Sequence, residues 1–531
     1  MPASPCLRKL APLAPNAGIA PDVVAFESHG VVLVIGDGSA VAAAIDLLAA
    51  KLRVVVFAPG VTAFESRRGR ITAVGGRVVS LSGVFGEFRA QAATPGGGSA
   101  DIGNFSPNAD GTFDLVLDLC GAPLLTGGIA PLGYFAPRGD QAVLAAAIAE
   151  LGRLVGRFAK PRFVDYDASI CTHGAKGLRG CTQCLDVCAA GAIRSAGDVV
   201  GLDAKLCQGC ANCTLACPTG ALSFNRPSPA ALRVSLRRLL GAPRSEVNPP
   251  PVIVAHVPAA RADIESVQLP ARARPLQIDA LAAFGEELWF EALAAGAAGV
   301  VIVRDPGPTA VGQSQLERKV ADAGVLLGAC GASPSRLVLV AADMLAGAVA
   351  AMPRAAICAT ERTAENASKR AALLSALDAL RAAAGGAQTP VALAAGMPFG
   401  EVVVDRVKCT LCFACTNLCP VAAFVAEPEP LPRLRYVEAS CVQCGLCDVG
   451  CPEHAIALYP RFVADVAARS EARILHEDEL FCCAQCGMPF ISRLLLASSL
   501  ERIKGYPELG AAGVDRLKMC PACRQRTAMT E

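Results

Sequence analysis

Apolar residues fall in short unbroken runs, divided by longer stretches in which they recur with helical spacing. Val31 to Ile35 is one such run; it is followed by Gly36-Asp37-Gly38-Ser39-Ala40, a helical stretch from Val41 to Lys51 and a second run from Val54 to Phe57. Short apolar runs bounded by turn residues suit strands buried on both faces, so this segment predicts a strand, a helix and a parallel strand. Asp114-Leu-Val-Leu-Asp-Leu supplies a later strand that should complete the sheet near residue 119. The pattern returns between 252 and 384, where Val252-Ile-Val-Ala, Gly299-Val-Val-Ile-Val and Leu337-Val-Leu-Val alternate with alanine-rich helical stretches. A second parallel α/β unit is expected there. Its helix over 281–295 carries Glu286, Glu287 and Glu291 on or near one face, which a solvated surface explains. Arg304-Asp305 follows a strand end, the place where ligands of open α/β sheets sit. The apolar stretch 337–352 is shorter than the roughly 20 residues a membrane span needs and carries Asp343, so it predicts a strand and then a buried helix.

Length and composition narrow the class. The chain has 531 residues, 53% hydrophobic and 18% charged, enough for roughly three or four domains of about 150 residues with buried cores. Its 49 Lys and Arg nearly balance its 47 Asp and Glu, giving a net charge of +2. Neutralising phosphates or an anionic membrane surface needs a cationic excess, so no nucleic-acid partner and no membrane span are expected. The N-terminal sequence shows neither a signal peptide nor a twin-arginine signal, which places the chain in the reducing cytoplasm. The 25 cysteines are then expected to be ligands and not a disulfide framework.

Their spacing says of what. Cys409, Cys412, Cys415 and Cys419-Pro420 spell C-x2-C-x2-C-x3-C-P, and Cys441, Cys444, Cys447 and Cys451-Pro452 repeat it. In such runs the first three thiolates hold one [4Fe–4S] cluster and the fourth ligates its neighbour. The assignment is Cys409, Cys412, Cys415 and Cys451 on one cluster, with Cys441, Cys444, Cys447 and Cys419 on the other. Zinc is disfavoured, since it takes separate C-x2-C pairs. An earlier block holds one complete run, Cys207, Cys210, Cys213 and Cys217-Pro218, and a partner reduced to Cys181, Cys184 and Cys188. Cys171 could loop back through a glycine-rich insertion as the missing ligand. One cluster would then take Cys171, Cys181, Cys184 and Cys217, and the other Cys207, Cys210, Cys213 and Cys188. His173 as fourth ligand and a three-iron cluster are the alternatives. No Lys or Arg lies within these C-x2-C runs. Reduction adds negative charge to an anionic cluster, so a shell without cations predicts low potentials.

Two further features carry candidate chemistry. Glycines directly after the strand at 31–35 allow a tight turn at a helix N-terminus, so Gly36, Gly38 and Ser39 could bind the phosphates of a flavin such as FAD or of a dinucleotide. Val41 at the third glycine position and Ala58-Pro59 in place of a ribose-binding acid equally suit a degenerate scaffold. Near the C-terminus, Cys483 and Cys486 are followed after 33 residues by Cys520 and Cys523. Two such knuckles make a tetrahedral sulfur site for structural zinc, or for a single iron. The gap holds a helix over 491–503, and Cys482 is left spare. Cys6, Cys120, Cys330 and Cys358 are solitary and suit buried apolar positions.

The order of parts resembles the flavo-ferredoxin assemblies of the heterodisulfide reductase type. The stretch Asp165-Tyr-Asp-Ala-Ser-Ile-Cys171-Thr-His-Gly through Cys217-Pro-Thr-Gly is similar to bacterial multi-cluster 4Fe-4S ferredoxin proteins associated with formate dehydrogenase systems. The central unit loosely resembles a hydrogenase delta-subunit domain but lacks that family's paired cysteines near its strand ends. The expected organisation is multidomain: an N-terminal extension (1–28), a Rossmann-like α/β domain (29–160), a first α+β dicluster ferredoxin module (161–226), a linker (227–249), a second α/β domain (250–390), a second ferredoxin module (391–460) and a zinc-ribbon-like Cys-rich segment (461–531). The resemblance implies an electron-transfer protein that passes single electrons through four clusters between a partner dehydrogenase, such as a formate dehydrogenase, and an acceptor. A flavin-dependent oxidoreductase and an assembly factor for a metalloenzyme are the alternatives.

Overall fold

The computed structural model describes every residue except 1–9, 14–19, 21, 37–38, 62–63, 66–69, 96, 127, 242–248, 306–308, 358–366, 388, 430, 504–509 and 531. Val31–Ile35, Arg53–Ala58, Ile71–Gly75, Leu115–Asp118 and Tyr134–Phe135 form a parallel sheet. Numbered along the chain, these strands lie in the order 3-2-1-4-5, with Phe64–Glu65 added antiparallel at one edge. Doubly wound nucleotide-binding sheets use that order. The strand near 119 therefore does not complete the sheet, because Tyr134–Phe135 pairs outside it. Two residues are too few to show a period. The crossover from the third strand to the fourth is also unusual. It contains a three-stranded antiparallel sheet, Val78–Ser82, Arg89–Ala93 and Ser99–Asp101.

The second sheet runs Ala273–Gln277, Val252–His256, Gly299–Val303, Leu337–Val340 in spatial order, all parallel. Its edge strand, Ala-Arg-Pro-Leu-Gln, has no apolar run to announce it, and Pro275 is tolerated because an edge strand need not donate on its open side. The helix Glu286–Ala294 departs from expectation. Glu286 and Glu287 are buried, so the three glutamates do not form a solvated face. Lys319 Nζ lies 3.2 Å from both carboxylate oxygens of Glu286, and Arg233 Nε lies 3.0 Å from those of Glu291. The helix packs between Pro229–Leu240 and Lys369–Ala384, so its acids meet cations from distant parts of the chain instead of water. Charges persist under such cover only when paired.

The stretch 337–352 divides into the strand Leu337–Val340 and the helix Leu345–Ala351. Among the described residues, no helix is long and apolar enough to cross a membrane. One continuous core joins both parallel sheets to the first cysteine-rich region, with Cys184, Cys213 and Cys217 in the same cluster as Val252 and Leu293. The second cysteine-rich region has its own core around Val402, Leu434 and Tyr436.

Candidate metal centres

The complete cysteine runs share one backbone shape. Gly209 and Ala211, Leu411 and Phe413, and Gln443 and Gly445 all have φ between 55° and 85°. Each pair sits two and four residues after the first cysteine of its run. L-residues enter this left-handed region at a cost of about 1–2 kcal/mol each, so its recurrence at Ala211, Leu411, Phe413 and Gln443 marks a conformation the surroundings impose. In this turn, and after left-handed Ala422 and His454 beyond the fourth cysteines, amide N–H groups point at sulfur. Gln443 N lies 3.4 Å from Cys441 Sγ, Ala423 N 3.3 Å from Cys419 Sγ and Ala455 N 3.4 Å from Cys451 Sγ. A short helix follows each turn: Asn212–Ala216 carries Cys213 and ends at Cys217, and Ala414–Leu418 carries Cys415 and ends at Cys419.

The cysteines gather in fours across the runs. Cys171, Cys181, Cys184 and Cys217 line one small cavity together with Tyr166 and Pro218. Burial, reinforced by Cys181, Cys217 and Cys171 beside it, pushes the Cys184 thiol up to about 12. Cys210 is pushed up to about 11 by burial, with Cys207 and Cys188 as its sulfur neighbours. Cys213 is raised in the same way, next to Cys210, Cys207 and Cys188. In the second region, burial with Cys409, Cys412 and Cys451 nearby pushes Cys415 up to about 12. Burial with Cys441, Cys444 and Cys419 nearby raises Cys447. Four thiols crowded under apolar cover become thiolates only against a strong local positive charge, which is the donor set an iron–sulfur cluster requires.

Cys171, the candidate for the displaced ligand, has a local counterpart in Cys441. Strand Val164–Tyr166 and the turn Ala168–Ile170 lead into Cys171, as strand Arg433–Tyr436 and the turn Glu438–Ser440 lead into Cys441. Cys171 N donates to Ala168 O at 3.2 Å and Cys441 N to Glu438 O at 3.2 Å. Tyr166 and Tyr436 each bring a hydroxyl to the following cysteine. His173 is occupied elsewhere, with Nδ1 2.8 Å from Cys181 O and Nε2 2.8 Å from Ser195 Oγ. It braces the hairpin Gly174–Ala175 and Leu178–Arg179 within the insertion.

The cation-free surroundings expected from the runs are not what the fold provides. Buried Lys160 donates to Cys207 O at 2.7 Å and Lys205 O at 2.6 Å. Arg370 donates to Cys441 O at 2.8 Å, Ala439 O at 3.0 Å and Pro398 O at 2.6 Å. Burial holds the Arg370 guanidinium down to about 10, although nearby Cys441 favours its charge. No local signal marks either residue, since each reaches its cysteine from a separate strand or helix.

The C-terminal cysteines differ in scale. The sulfurs of Cys483, Cys486, Cys520 and Cys523 all lie within 4.8 Å of one another, and Cys486 Sγ is 3.7 Å from Cys520 Sγ. A tetrahedron with Zn–S near 2.3 Å has edges of about 3.8 Å, so this cradle fits one ion and not a cube. Cys520 N points at Cys483 Sγ from 3.2 Å. Burial would raise the Cys483 thiol, but the amides of Cys520, Cys486 and Gln485 outweigh it and hold the thiol down to about 6. Cys482 is exposed and stands apart from the four. The helix of the gap begins at Arg493, after the strand Pro489–Ser492.

Comparison with protein families gives one of these loops a chemical identity. Residues 200–223 match a family of 4Fe-4S binding domains. No curated protein matches the chain. The matched segment holds Cys207 to Pro218 and most of the flanking strands Val199–Leu202 and Leu222–Phe224, so a 4Fe-4S domain is present and supports an electron-transfer role.

The remaining sequence-derived residues fall elsewhere. Gly36 has φ of +140°, and a Cβ there would sit 2.9 Å from Leu119 Cβ and 3.0 Å from Leu119 C. Its missing side chain therefore admits Leu119. Gly38, Cys6 and Cys358 lie outside the described residues, and Ser39 opens the helix Ser39–Ala49. Cys330 is a core residue whose thiol burial pushes up to about 12, and Cys120 is half-buried. Arg304 pairs with Glu317.

Proposed function

We propose that this chain is an iron–sulfur electron-transfer protein whose two cysteine-rich regions hold four [4Fe–4S] clusters. The observation that carries this is the grouping of thiols across runs, with Cys171 taking the place that spacing alone leaves empty. The sets are Cys171, Cys181, Cys184 and Cys217; Cys188, Cys207, Cys210 and Cys213; Cys419, Cys441, Cys444 and Cys447; and Cys409, Cys412, Cys415 and Cys451. Bound there, the clusters supply reversible one-electron chemistry. The chain orients the sulfurs through the left-handed turns, excludes water with apolar cover and lends amide N–H groups to the thiolates. Structural zinc at Cys483, Cys486, Cys520 and Cys523 completes the cofactor set, and the redox partner is a dehydrogenase, formate dehydrogenase being the one the resemblance points to.

Anaerobically purified protein is expected to contain about sixteen irons. Cys171→Ser is expected to lose about four of them and one reduced-state EPR signal. Unchanged iron and EPR in that variant would refute the assignment. Release of FAD or FMN on heating would favour the flavin-dependent reading instead.

A further inference from the structure

The two cysteine-rich regions are far apart in sequence but meet at their ligand loops. Gly180, which immediately precedes Cys181, lies against the turn between Cys444 and Cys447. A Cβ on Gly180 would be 2.7 Å from Leu446 Cγ and 3.2 Å from Cys444 O. The same meeting recurs at Gly450, immediately before Cys451. A Cβ there would be 2.3 Å from Leu418 Cδ1 and 2.7 Å from Leu178 Cδ1. The helix Leu446–Val449 packs on the strand Leu178–Arg179, and Gln183 Nε2 donates to Gly396 O at 3.1 Å. Only glycine permits so close an approach at 180. The consequence is that the backbone just before Cys181 packs directly on the Leu446 side chain and close to the Cys444 carbonyl.

Within each region the sites are already linked. Asn212–Ala216 has Cys213 of one set inside it and Cys217 of the other at its end, and Leu446–Val449 likewise holds Cys447 shortly before Cys451. We infer that the Gly180–Leu446 contact joins two dicluster regions into a single four-site electron path. Its order is Cys188/207/210/213, Cys171/181/184/217, Cys419/441/444/447, then Cys409/412/415/451. The residues in closest contact, Gly180, Leu446, Leu178 and Gly450, carry no titratable side chain. What crosses it is one electron, delivered at an end by a one-electron reductant such as a reduced viologen and withdrawn by a one-electron acceptor, with no proton moved and no bond broken. The ends of the path differ. The last set includes Cys412, which is exposed, whereas the first lies under Lys160 in the main core.

This order rests on the four-cluster reading, and the test separates the two. In the full-length protein reduced with viologen, Cys441→Ser combined with Cys447→Ser should empty the adjoining set of the second region while leaving iron in the first. If the joint is real, the EPR signal of the first region then narrows and its electron spin relaxes more slowly, because a paramagnetic neighbour has been lost. Gly180→Val, with iron content unchanged, should reproduce that narrowing. A first-region signal identical with and without iron in the second region would overturn the joint. Wild-type protein with far fewer than about sixteen irons would overturn the four-cluster reading instead.

Discussion

The two cysteine-rich regions carry the same loop chemistry in opposite settings. The first shares its core with both parallel sheets, and Cys184, Cys213 and Cys217 are packed into that core. The second sits on a separate core and leaves Cys412 exposed. Each receives a cation from outside its runs, buried Lys160 in the first and half-buried Arg370 in the second, but from different elements. A set of thiolates can thus be built into a scaffold or hung beside it, because the ligands are set by a local turn while the surroundings come from whatever packs against it.

The largest expected difference is in stability. Cys213→Ser and Cys415→Ser should each cost about four irons of the roughly sixteen. Only the first should also lower the melting temperature of the sheets by far-UV circular dichroism, because its site lies in the shared core. Equal effects on melting would break the comparison.

Next come these two cations. A positive charge near a site favours its reduced, more negative form, so Arg370→Met should lower the potential of the Cys441 set with iron retained. Lys160→Met should do the same for the Cys207 set. EPR-monitored redox titration checks both, and unchanged potentials would remove these residues from the tuning.

Tyr436 is fully buried and donates to Gly400 O at 2.7 Å, whereas half-buried Tyr166 accepts from Val200 N at 3.2 Å. Tyr436→Phe orphans a buried carbonyl and should cost about 1–3 kcal/mol, against about 0.5–1.5 for Tyr166→Phe. Denaturant unfolding reads both. The smallest effect is expected at Arg502, which is largely exposed and 2.6 Å from Glu453 beside Cys451. Arg502→Ala should cost about 0.2–1 kcal/mol, less at high salt.

What could be read in advance follows the range of the interactions. The strand-glycine-helix-strand opening and the central strands are local patterns, and they stand where the apolar runs place them. The twelve cysteines in the three complete runs are local as well, because the turn that aims them spans only a few residues. Glu286 and Glu291 are not legible for the opposite reason. Their partners Lys319 and Arg233 lie 33 and 58 residues away, and helical spacing alone cannot distinguish water from a distant cation.

Taken alone, the sequence determined the thiols at ligand spacing and the apolar runs long enough for buried strands. Tertiary structure decided the rest. It gave both imidazole nitrogens of His173 other partners, set Cys171 in one cavity with Cys181, Cys184 and Cys217, brought Lys160 and Arg370 to loops that contain no cation, and set Gly180 against Leu446. Ligand spacing is written along a few residues of chain, whereas charge, burial and the contact between two loops depend on which surfaces meet when the whole chain packs.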